Sequence, residues 1–289
     1  MVKSIPVLLC FLASIASHVT ASTEDYDASS YEDENLTNVY FGAGCFWHVQ
    51  HEFVMAEMRL LRRNNEELTS FTGYAGGKSS DSEGRVCYHN LAGVADYGKL
   101  GHGEVVGMTI PEASIGDFSL EYFNLFTNGE RADPQDRGGE YRSLIGLPGG
   151  TDHPSYSDVE AAASAVGMQL LAGEGNEPDT LEAKTVYVYD TITFPFYQAE
   201  VYHQFHNDFQ SAAYGEEYNN LAHEAFEDGR LKITGCPDSV WLTKMKLTKA
   251  EVIMICGGGI AIVLIIFVTW RSYFPTRART KNKQWTLIP

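Results

Sequence analysis

Residues 39–60 read VYFGAGCFWHVQHEFVMAEMRL, and this stretch decides the class of fold. The apolar run at 39–41 stops at three small residues, 42–44, which is typical of a strand that ends in a tight turn. Beyond the turn, apolar side chains recur at steps of three and four residues, which predicts an amphipathic helix. These side chains are Phe46, Val49, Phe53, Ala56 and Leu60. Cys45 therefore lies where a predicted strand gives way to a predicted helix.

Strand-like and helix-like patterns mix along the following sequence. Apolar or β-branched runs predict strands at 71–75, 105–110, 141–147 and 184–189. Helical periodicity predicts helices at 117–126 and 197–209. Ser157 and Glu160 form a capping box for another helix, whose apolar stripe reaches Leu170 and ends at Gly173. This mixture, without an internal repeat, favours a single α+β domain at 38–235.

Composition and charge exclude several classes of protein. The chain has 289 residues, of which 44% are hydrophobic and 20% charged, so it is neither disordered nor of low complexity. Its formal net charge of −17 argues against a nucleic-acid-binding protein, which needs a basic surface. Five cysteines are too few for a disulfide scaffold.

The N-terminus has the pattern of a secretory signal. Residues 1–21 combine a basic residue, Lys3, with an apolar stretch and a small-residue cleavage pattern at 19–21, which predicts a signal peptide. A buried first strand or an uncleaved anchor is the alternative. Residues 22–37 carry six acids and no base and predict a solvated acidic leader. The sequence Asn35-Leu36-Thr37 is a glycosylation acceptor.

The C-terminus has the pattern of a membrane anchor. Residues 252–270 are 19 uncharged, mainly apolar residues, enough for a helix to cross a bilayer. Residues 271–289 carry five basic residues directly after the span, which predicts a cytoplasmic tail. A lipid-anchor signal is the alternative, but it would lack the basic tail. With 236–251 as a juxtamembrane linker, we expect a single-pass type I membrane protein of the secretory pathway or cell surface, its folded domain lumenal or extracellular.

The cysteines that remain in the predicted domain are odd in number. Cys45, Cys87 and Cys236 lie outside the predicted signal and span, so at least one thiol is free or paired elsewhere. A thiol at the start of a helix feels the positive end of the helix dipole, which lowers its pKa and favours a reactive thiolate. Cys45 is therefore a candidate nucleophile. The alternative is an inert buried cysteine.

Two other segments are candidates for chemistry. Glu104 has the same parity as Val106, Met108 and Ile110, so a strand would put its carboxyl on an apolar face. Such a carboxyl has a raised pKa and can donate a proton near neutrality, unless it lies at the strand end and reaches water. The polar, glycine-rich loop at 133–143 predicts either ligand contacts or a plain turn.

Other patterns do not rise to a site. His48 with His51, and His203 with His206, have a spacing that can bind zinc, but surface histidines explain them more simply, and we expect no metal. The glycine-rich segments do not match a dinucleotide-binding pattern. Cys45 lacks a local cysteine-protease signature.

Several of these segments, in this order, resemble the methionine sulfoxide reductases of the A type. The matching pieces are Gly44-Cys45-Phe46-Trp47, Gly73-Tyr74-Ala75-Gly76-Gly77, Val86-Cys87, Gly101-His102-Gly103-Glu104-Val105-Val106, Asp136 with Tyr141-Arg142-Ser143, and Phe196-Tyr197-Gln198-Ala199-Glu200 with His203-Gln204. Each piece alone is weak evidence, whereas the ordered set is specific.

The resemblance implies a fold and a set of roles. The fold is a two-layer α+β sandwich with a mixed central sheet. Cys45 would attack the sulfoxide sulfur as a thiolate, and protonated Glu104 would activate the oxygen. The other roles are substrate-methyl binding by Phe46 and Trp47, oxygen binding by Tyr141, and organisation of the site by Asp136.

The resemblance also implies an overall reaction. The S epimer of methionine sulfoxide, free or in proteins, becomes methionine and leaves a sulfenic acid on Cys45. A second thiol then forms a disulfide, which an external thiol reductant, thioredoxin-like or a small dithiol, resets. No bound cofactor is expected.

The chain departs from the family pattern at three places. His48 replaces the glycine that usually follows Cys-Phe-Trp, and could narrow the entrance or stabilise the thiolate. A second oxygen-binding tyrosine is missing from 82–85, so we expect Tyr97 to replace it in substrate binding. The recycling cysteine is expected at Cys236, with Cys87 as the fallback.

Three functions follow from the sequence. The first is an active, membrane-tethered reductase. The second is a binding module that keeps the fold and has lost turnover, which the missing tyrosine and displaced recycling cysteine favour. The third is another thiol reaction in the same pocket, such as disulfide exchange.

Overall fold

The computed structural model of the chain describes residues 35–131, 135–209 and 212–237. The predicted signal peptide, membrane span and basic tail lie outside these residues, as does the leader up to residue 34. Among the described helices, none has the length and apolar character needed to cross a bilayer.

Most of the strands join one mixed sheet. In chain order the strands of the described residues are β1 (Leu36–Gly42), β2 (Phe71–Ala75), β3 (Gly103–Pro111), β4 (Phe126–Thr127), β5 (Glu130–Arg131), β6 (Leu144–Leu147), β7 (Gln169–Ala172), β8 (Thr185–Asp190) and β9 (Tyr197–Gln198). Seven of them form a sheet in the order β7-β8-β6-β1-β3-β2-β9, and β4 pairs separately with β5. The β6–β8 and β7–β8 pairs are parallel, while the other pairs are antiparallel. An α+β fold with a mixed central sheet is therefore confirmed.

Helices cover one face of this sheet. The described helices are α1 (Phe46–Leu60), α2 (Ile115–Asn124), α3 (Tyr156–Ala165) and α4 (Glu216–Glu227). Helix α1 contacts β1, β2 and β3, α2 lies between α1 and α3, and α3 contacts β7. Val106, Met108 and Ile110 of β3 join Phe53 of α1 in the main apolar core, as the alternation along β3 predicts. Glu104, near the start of β3, therefore lies on the face of the sheet that α1 covers.

Two smaller clusters complete the packing. On the opposite face of the sheet, Tyr40, Val105, Leu144 and Tyr189 pack with Phe194 from the loop after β8. Helix α4 packs through its buried apolar face onto a separate cluster at the outer side of α1.

The domain is slightly longer than predicted. Strand β1 begins at Leu36, inside the segment assigned to the acidic leader, because its backbone pairs with β3 from Leu36 onward. At the other end, Cys236 is bonded to Cys87 and so belongs to the domain rather than to a linker. Strand β1 and the disulfide thus extend one or two residues beyond 38 and 235, the predicted limits of the domain.

Some predicted elements differ from the observed ones. Tyr141 does not open a strand but ends a 3-10 helix, Gly139–Tyr141, and β6 begins at Leu144. Helix α3 starts at Tyr156 after Ser155 and ends at Ala165. Leu170 belongs to β7, since Gly167 with φ +72° has already reversed the chain.

The predicted helix at 197–209 is wrong. This segment is the short strand β9, then a 3-10 turn at Val201–His203, and then irregular chain. Long-range hydrogen bonds replace the helical ones. The Gln204 side chain accepts the Thr72 backbone N–H at 2.9 Å and donates to the Thr72 carbonyl at 2.9 Å, while Gln50 accepts the Phe205 N–H at 2.6 Å. The segment is thereby tied to β2 and α1.

Candidate active site

Cys45 lies at the junction of β1 and α1. It is the residue that precedes the first helical turn, with φ −62° and ψ 123°, and its thiol is half-buried and outside any disulfide. Gly44, at φ +79°, turns the chain into the helix, and its N–H donates to the Tyr141 carbonyl at 3.2 Å. A Cβ on Gly42 would lie 2.4 Å from the Glu104 carbonyl oxygen. Small residues here bring the thiol against β3 and the Tyr141 segment.

Glu104 is a buried acid held by two hydrogen bonds. It is 2% exposed and lies opposite Tyr74 in the β2–β3 register. Its carboxyl accepts the Phe46 backbone N–H at 3.0 Å and the Tyr97 hydroxyl at 3.1 Å. Burial raises its pKa to about 8, against the lowering effect of these two donors and with the help of the nearby charge of Asp136. Glu104 is therefore a neutral proton donor at pH 7, and the solvated alternative does not apply.

The electrostatics of Cys45 differ from the prediction. Burial, and then the negative charge of Glu104, raise the pKa of the Cys45 thiol well above its ordinary value. The Trp47 backbone N–H lowers it, as expected at a helix start, but the desolvation of a thiolate outweighs this single donor. The resting enzyme therefore holds a neutral thiol next to a neutral acid. His48 is not among the main causes of this shift. On the same helix, the hydrogen bond with His51 lowers the pKa of Glu52, and the charge of His48 makes a smaller contribution.

Tyr97 lies behind Glu104 and does not line the pocket. It is 0% exposed, and its ring stacks between Tyr74, at 4.6 Å between ring centroids, and Tyr88, at 5.7 Å. Its hydroxyl donates to Glu104. The expected substrate contact of Tyr97 is therefore replaced by a positioning contact with the acid.

Tyr141 and Asp136 lie at the same site. Tyr141 is half-buried, and burial followed by the charge of Glu104 raises the pKa of its hydroxyl. Asp136 is also half-buried, and its charge contributes to raising the pKa values of Glu104, Cys45 and Tyr141. Its backbone carbonyl accepts a hydrogen bond from Arg131. A negative Asp136 favours the protonated form of Glu104.

Phe46 and Trp47 form an apolar wall beside the thiol. Phe46 is 1% exposed and packs on Tyr74 and His203, with ring centroids 6.0 and 5.4 Å apart. Trp47 stacks on His206 at 4.2 Å and meets the exposed ring of Phe209 edge-on at 5.0 Å. These rings offer an apolar surface next to Cys45 that suits a methyl or thioether group.

Tyr88 is a site residue that the sequence reasoning missed. Its ring stacks on His203, with centroids 4.3 Å apart, and it remains half-buried. Burial raises the pKa of its hydroxyl, and the nearby charges of Glu104, Cys45 and Asp136 raise it further. Tyr88 directly follows the Val-Cys pair. The tyrosine that is missing before the Val-Cys pair therefore has a candidate replacement directly after that pair, at Tyr88, rather than at Tyr97.

The two remaining cysteines of the described chain are bonded to each other. Cys87 and Cys236 form a disulfide with their Cα atoms 5.6 Å apart, which leaves Cys45 as the free thiol of the described residues. Cys87 is fully buried and Cys236 half-buried. The predicted recycling cysteine and its fallback are thus partners in one bond. Because Cys87 adjoins Tyr88, this bond lies directly beside the pocket.

The histidine pairs have packing roles. His51 stacks on Tyr214 at 3.8 Å, and His206 stacks on Trp47. Burial, and then the neighbouring His206, lower the pKa of His203 to about 3, so its ring is neutral. Neither pair belongs to a cluster of three potential metal ligands in the part of the chain that the structure describes.

Sequence comparison with known proteins finds relatives that share the same name. No protein-family model matches the chain. The "Peptide methionine sulfoxide reductase MsrA" of Geobacter sulfurreducens is 30% identical over 178 residues, covering 60% of this chain and 91% of the relative. The protein of the same name from Geobacter metallireducens is 27% identical over 177 residues, with the same coverage of both chains.

Solved structures with some similarity carry related titles. The crystal structure of Mxr1 from Saccharomyces cerevisiae in reduced form is 21% identical, with a TM-score of 0.39 over 58% of this chain and 82% of that one. The sequence relationship extends over nearly the whole Geobacter sulfurreducens protein, 91% of its length, at 30% identity. The chain therefore belongs to the MsrA family of peptide methionine sulfoxide reductases.

Proposed function

We propose that this chain reduces the S epimer of methionine sulfoxide, in peptides or free, with Cys45 as nucleophile and Glu104 as acid. Family membership makes it a peptide methionine sulfoxide reductase; the proposal adds the residues and the epimer. The observation that carries it is the neutral, buried carboxyl of Glu104, bonded to the first N–H of α1 directly after Cys45.

The first step of the proposed mechanism is attack on sulfur. The Cys45 sulfur forms a bond to the sulfoxide sulfur as Glu104 gives its proton to the sulfoxide oxygen. The proton of the thiol passes to the Glu104 carboxylate, so the acid is regenerated. Thiolate character develops only during this transfer, in keeping with the raised pKa of Cys45.

The second step transfers the hydroxyl to Cys45. The new sulfur–sulfur bond breaks as the oxygen moves to the Cys45 sulfur, which leaves methionine and a sulfenic acid. The substrate sulfur gains two electrons and Cys45 loses two. Tyr88 and Tyr141 supply two phenolic donors for the oxygen, and Phe46 with Trp47 hold the substrate methyl group. Asp136 favours the protonated form of Glu104.

Recycling uses the other two cysteines. The reduced form of Cys87 or Cys236 attacks the sulfenic acid of Cys45 and releases water, giving a mixed disulfide. The remaining thiol of the pair then displaces Cys45 and forms the Cys87–Cys236 bond. An external dithiol reduces this bond and completes the cycle without a bound cofactor. The bond between the two cysteines supports this order of events.

We also propose that the domain works outside the cytosol on a membrane anchor. The signal pattern at 1–21, the acceptor at Asn35, the apolar stretch at 252–270 and the basic tail support this. Protease treatment of intact microsomes should remove a tag on the tail and spare the domain, and Asn35→Gln should abolish a glycosidase-sensitive mass shift. A protected tail, or no shift in either form, would contradict this placement.

The central test follows turnover of each epimer. The full chain in detergent, with dithiothreitol, is given a peptide carrying S or R methionine sulfoxide, and chiral chromatography measures the methionine formed. Turnover of the S epimer that vanishes in Cys45→Ser supports the proposal. Absence of turnover, with Cys45 still present as a free thiol, would refute it and favour a binding module or another thiol reaction.

A further inference from the structure

A cluster of metal-type ligands lies beside the pocket, at the disulfide. One ligand atom each from Cys87, Cys236 and Glu200 lie within 4.8 Å of one another, and within the described ranges this is the one such group of three or more. Cys87 is 0% exposed and Glu200 5% exposed, whereas Cys236 is half-buried. The chemistry assigned to Cys45 and Glu104 does not use Glu200.

The fold brings these residues together from three distant segments. The backbone of Cys87 is fixed on both sides, because its N–H donates to Ala95 at 2.8 Å and its carbonyl accepts from Tyr97 at 2.8 Å. Glu200 follows β9 at the edge of the sheet. Cys236 lies in the irregular chain after α4, where Arg85 donates to the neighbouring Gly235 carbonyl at 3.2 Å. Two ligands are thus held rigidly, and the third is on a more adaptable segment.

Glu200 is already oriented by its own hydrogen bonds. One carboxyl oxygen accepts the Tyr74 hydroxyl at 2.8 Å, and the other accepts the Tyr88 backbone N–H at 2.9 Å. A carboxylate has about four acceptor positions, so an oxygen that already accepts a hydrogen bond can also ligate a cation. Outer donors of this kind are typical of ligating carboxylates, since they fix the oxygen that faces the metal.

We propose that the reduced protein binds one thiophilic divalent cation, with Zn²⁺ as the reference ion, through Cys87, Cys236 and Glu200. An external dithiol first supplies two electrons to the disulfide and becomes a disulfide itself, leaving two protein thiols. Binding then releases both thiol protons and forms two Zn–S bonds and one Zn–O bond. A water completes a tetrahedral set, which borderline-soft Zn²⁺ favours with sulfur and oxygen donors.

The geometry requires only a local movement. Two thiolates at the usual Zn–S distance of about 2.3 Å lie about 3.8 Å apart in a tetrahedral site. The sulfurs must therefore separate once the bond between them is reduced, and the half-buried Cys236 is free to supply that movement. Metal binding and disulfide formation exclude each other, because each needs both sulfurs. In the proposed reductase, a bound cation would hold the recycling pair in its dithiol form.

The test measures metal binding and does not depend on turnover. The full chain in detergent is reduced, freed of reductant under argon and titrated with Co²⁺, whose thiolate charge-transfer and tetrahedral d–d absorption report the ligands. Zn²⁺ affinity follows from competition with a chromophoric chelator. We expect one equivalent bound by the reduced protein, none by the oxidised protein, and loss of the thiolate band in Cys87→Ser and in Cys236→Ser.

Two further variants distinguish this site from others. In Glu200→Gln the amide oxygen can still accept the Tyr88 N–H, and the NH2 group can donate to the Tyr74 hydroxyl. The variant should weaken Zn²⁺ binding by at least ~10-fold, the lower range seen when even an outer partner is lost. Cys45→Ser is the matched control and should bind as the wild type does. Unchanged affinity in Glu200→Gln, loss of the band in Cys45→Ser, or no stoichiometric binding by the reduced protein would overturn the proposal.

Discussion

Replacing Glu104 with glutamine separates the charge of this side chain from its shape. Glu104 accepts the Phe46 N–H at 3.0 Å and the Tyr97 hydroxyl at 3.1 Å on its two carboxyl oxygens. In Glu104→Gln the amide oxygen can still accept the Phe46 N–H, and the NH2 group can donate to the Tyr97 hydroxyl oxygen. The amide cannot donate an acidic proton to a sulfoxide. Because Glu104 is neutral near pH 7, the variant resembles the resting acid and should fold normally.

The pKa of Glu104 sets the expected change in stability. Its rise from 4.5 to about 8 corresponds to ~5 kcal/mol, at about 1.36 kcal/mol per pKa unit. Below pH 4.5 the folded and unfolded states are both protonated. Between pH 4.5 and 8 the unfolded chain loses this proton first, so the free energy of unfolding decreases as pH rises, and it levels off above 8. The glutamine variant lacks this loss, so its advantage over wild type should grow by ~5 kcal/mol from about pH 4.5 to 9.

Denaturant unfolding of wild type and Glu104→Gln across this pH range measures the difference between their free energies of unfolding. The contributions of all other titratable groups are common to both proteins and cancel in this difference. The same variant should lose ~10²–10⁴ in kcat/KM, the usual contribution of a general acid. The wild-type rate should fall about tenfold per pH unit above about 8, as Glu104 ionises, and the variant should lack that decline. A pH-independent stability difference would refute the raised pKa. A rate within about threefold of wild type at pH 7 would refute the role as acid.

Three further changes test the site and its supports. Tyr88→Phe should lower kcat about 10²-fold, because the sulfoxide oxygen loses one hydrogen-bond donor. Tyr187→Phe, in the cluster on the opposite face of the sheet, is the control and should leave kcat unchanged. Equal rates for the two variants would contradict the role of Tyr88. Cys236→Ser should lower the free energy of unfolding by up to ~5 kcal/mol under oxidising conditions, since the disulfide joins residues 149 apart. This loss of stability should disappear when wild type and variant are both reduced. A loss that persists after reduction would mean that the missing disulfide does not cause it. Gly42→Ala should reduce both stability and kcat, because its Cβ would lie 2.4 Å from the Glu104 carbonyl; wild-type melting and turnover would show that the β1–β3 approach tolerates a side chain.

Local patterns were sufficient for the parts of the site built from adjacent residues. The helical periodicity of the apolar residues after Cys45 predicts α1, and strand alternation places Glu104 on the face that α1 covers. Cys45 and Glu104 are therefore expected to lie close together, because the start of α1 packs against the start of β3. The segment at 197–209 could not be predicted this way, since Gln204 and Gln50 replace its helical hydrogen bonds with contacts more than 130 residues away in sequence.

The chemistry of individual side chains was less predictable than their location. A helix start lowers a thiol pKa by a local effect, but Cys45 is dominated by burial, which depends on the whole fold. Tyr97 and Tyr88 are nine residues apart in one irregular segment, and only the packing decides which hydroxyl lies behind Glu104 and which faces the pocket.

The first N–H of α1 bonds to Glu104 rather than to the thiol, and this has a consequence for the speed of proton transfer. In the proposed proton transfer from Glu104, the new carboxylate would already have the Phe46 N–H and the Tyr97 hydroxyl beside it. In water, dipoles would have to rotate around the nascent charge; here they have been oriented since the chain folded. The reorganisation energy of the transfer is therefore small, because the N–H at the start of the helix is a preorganised donor to the Glu104 carboxylate.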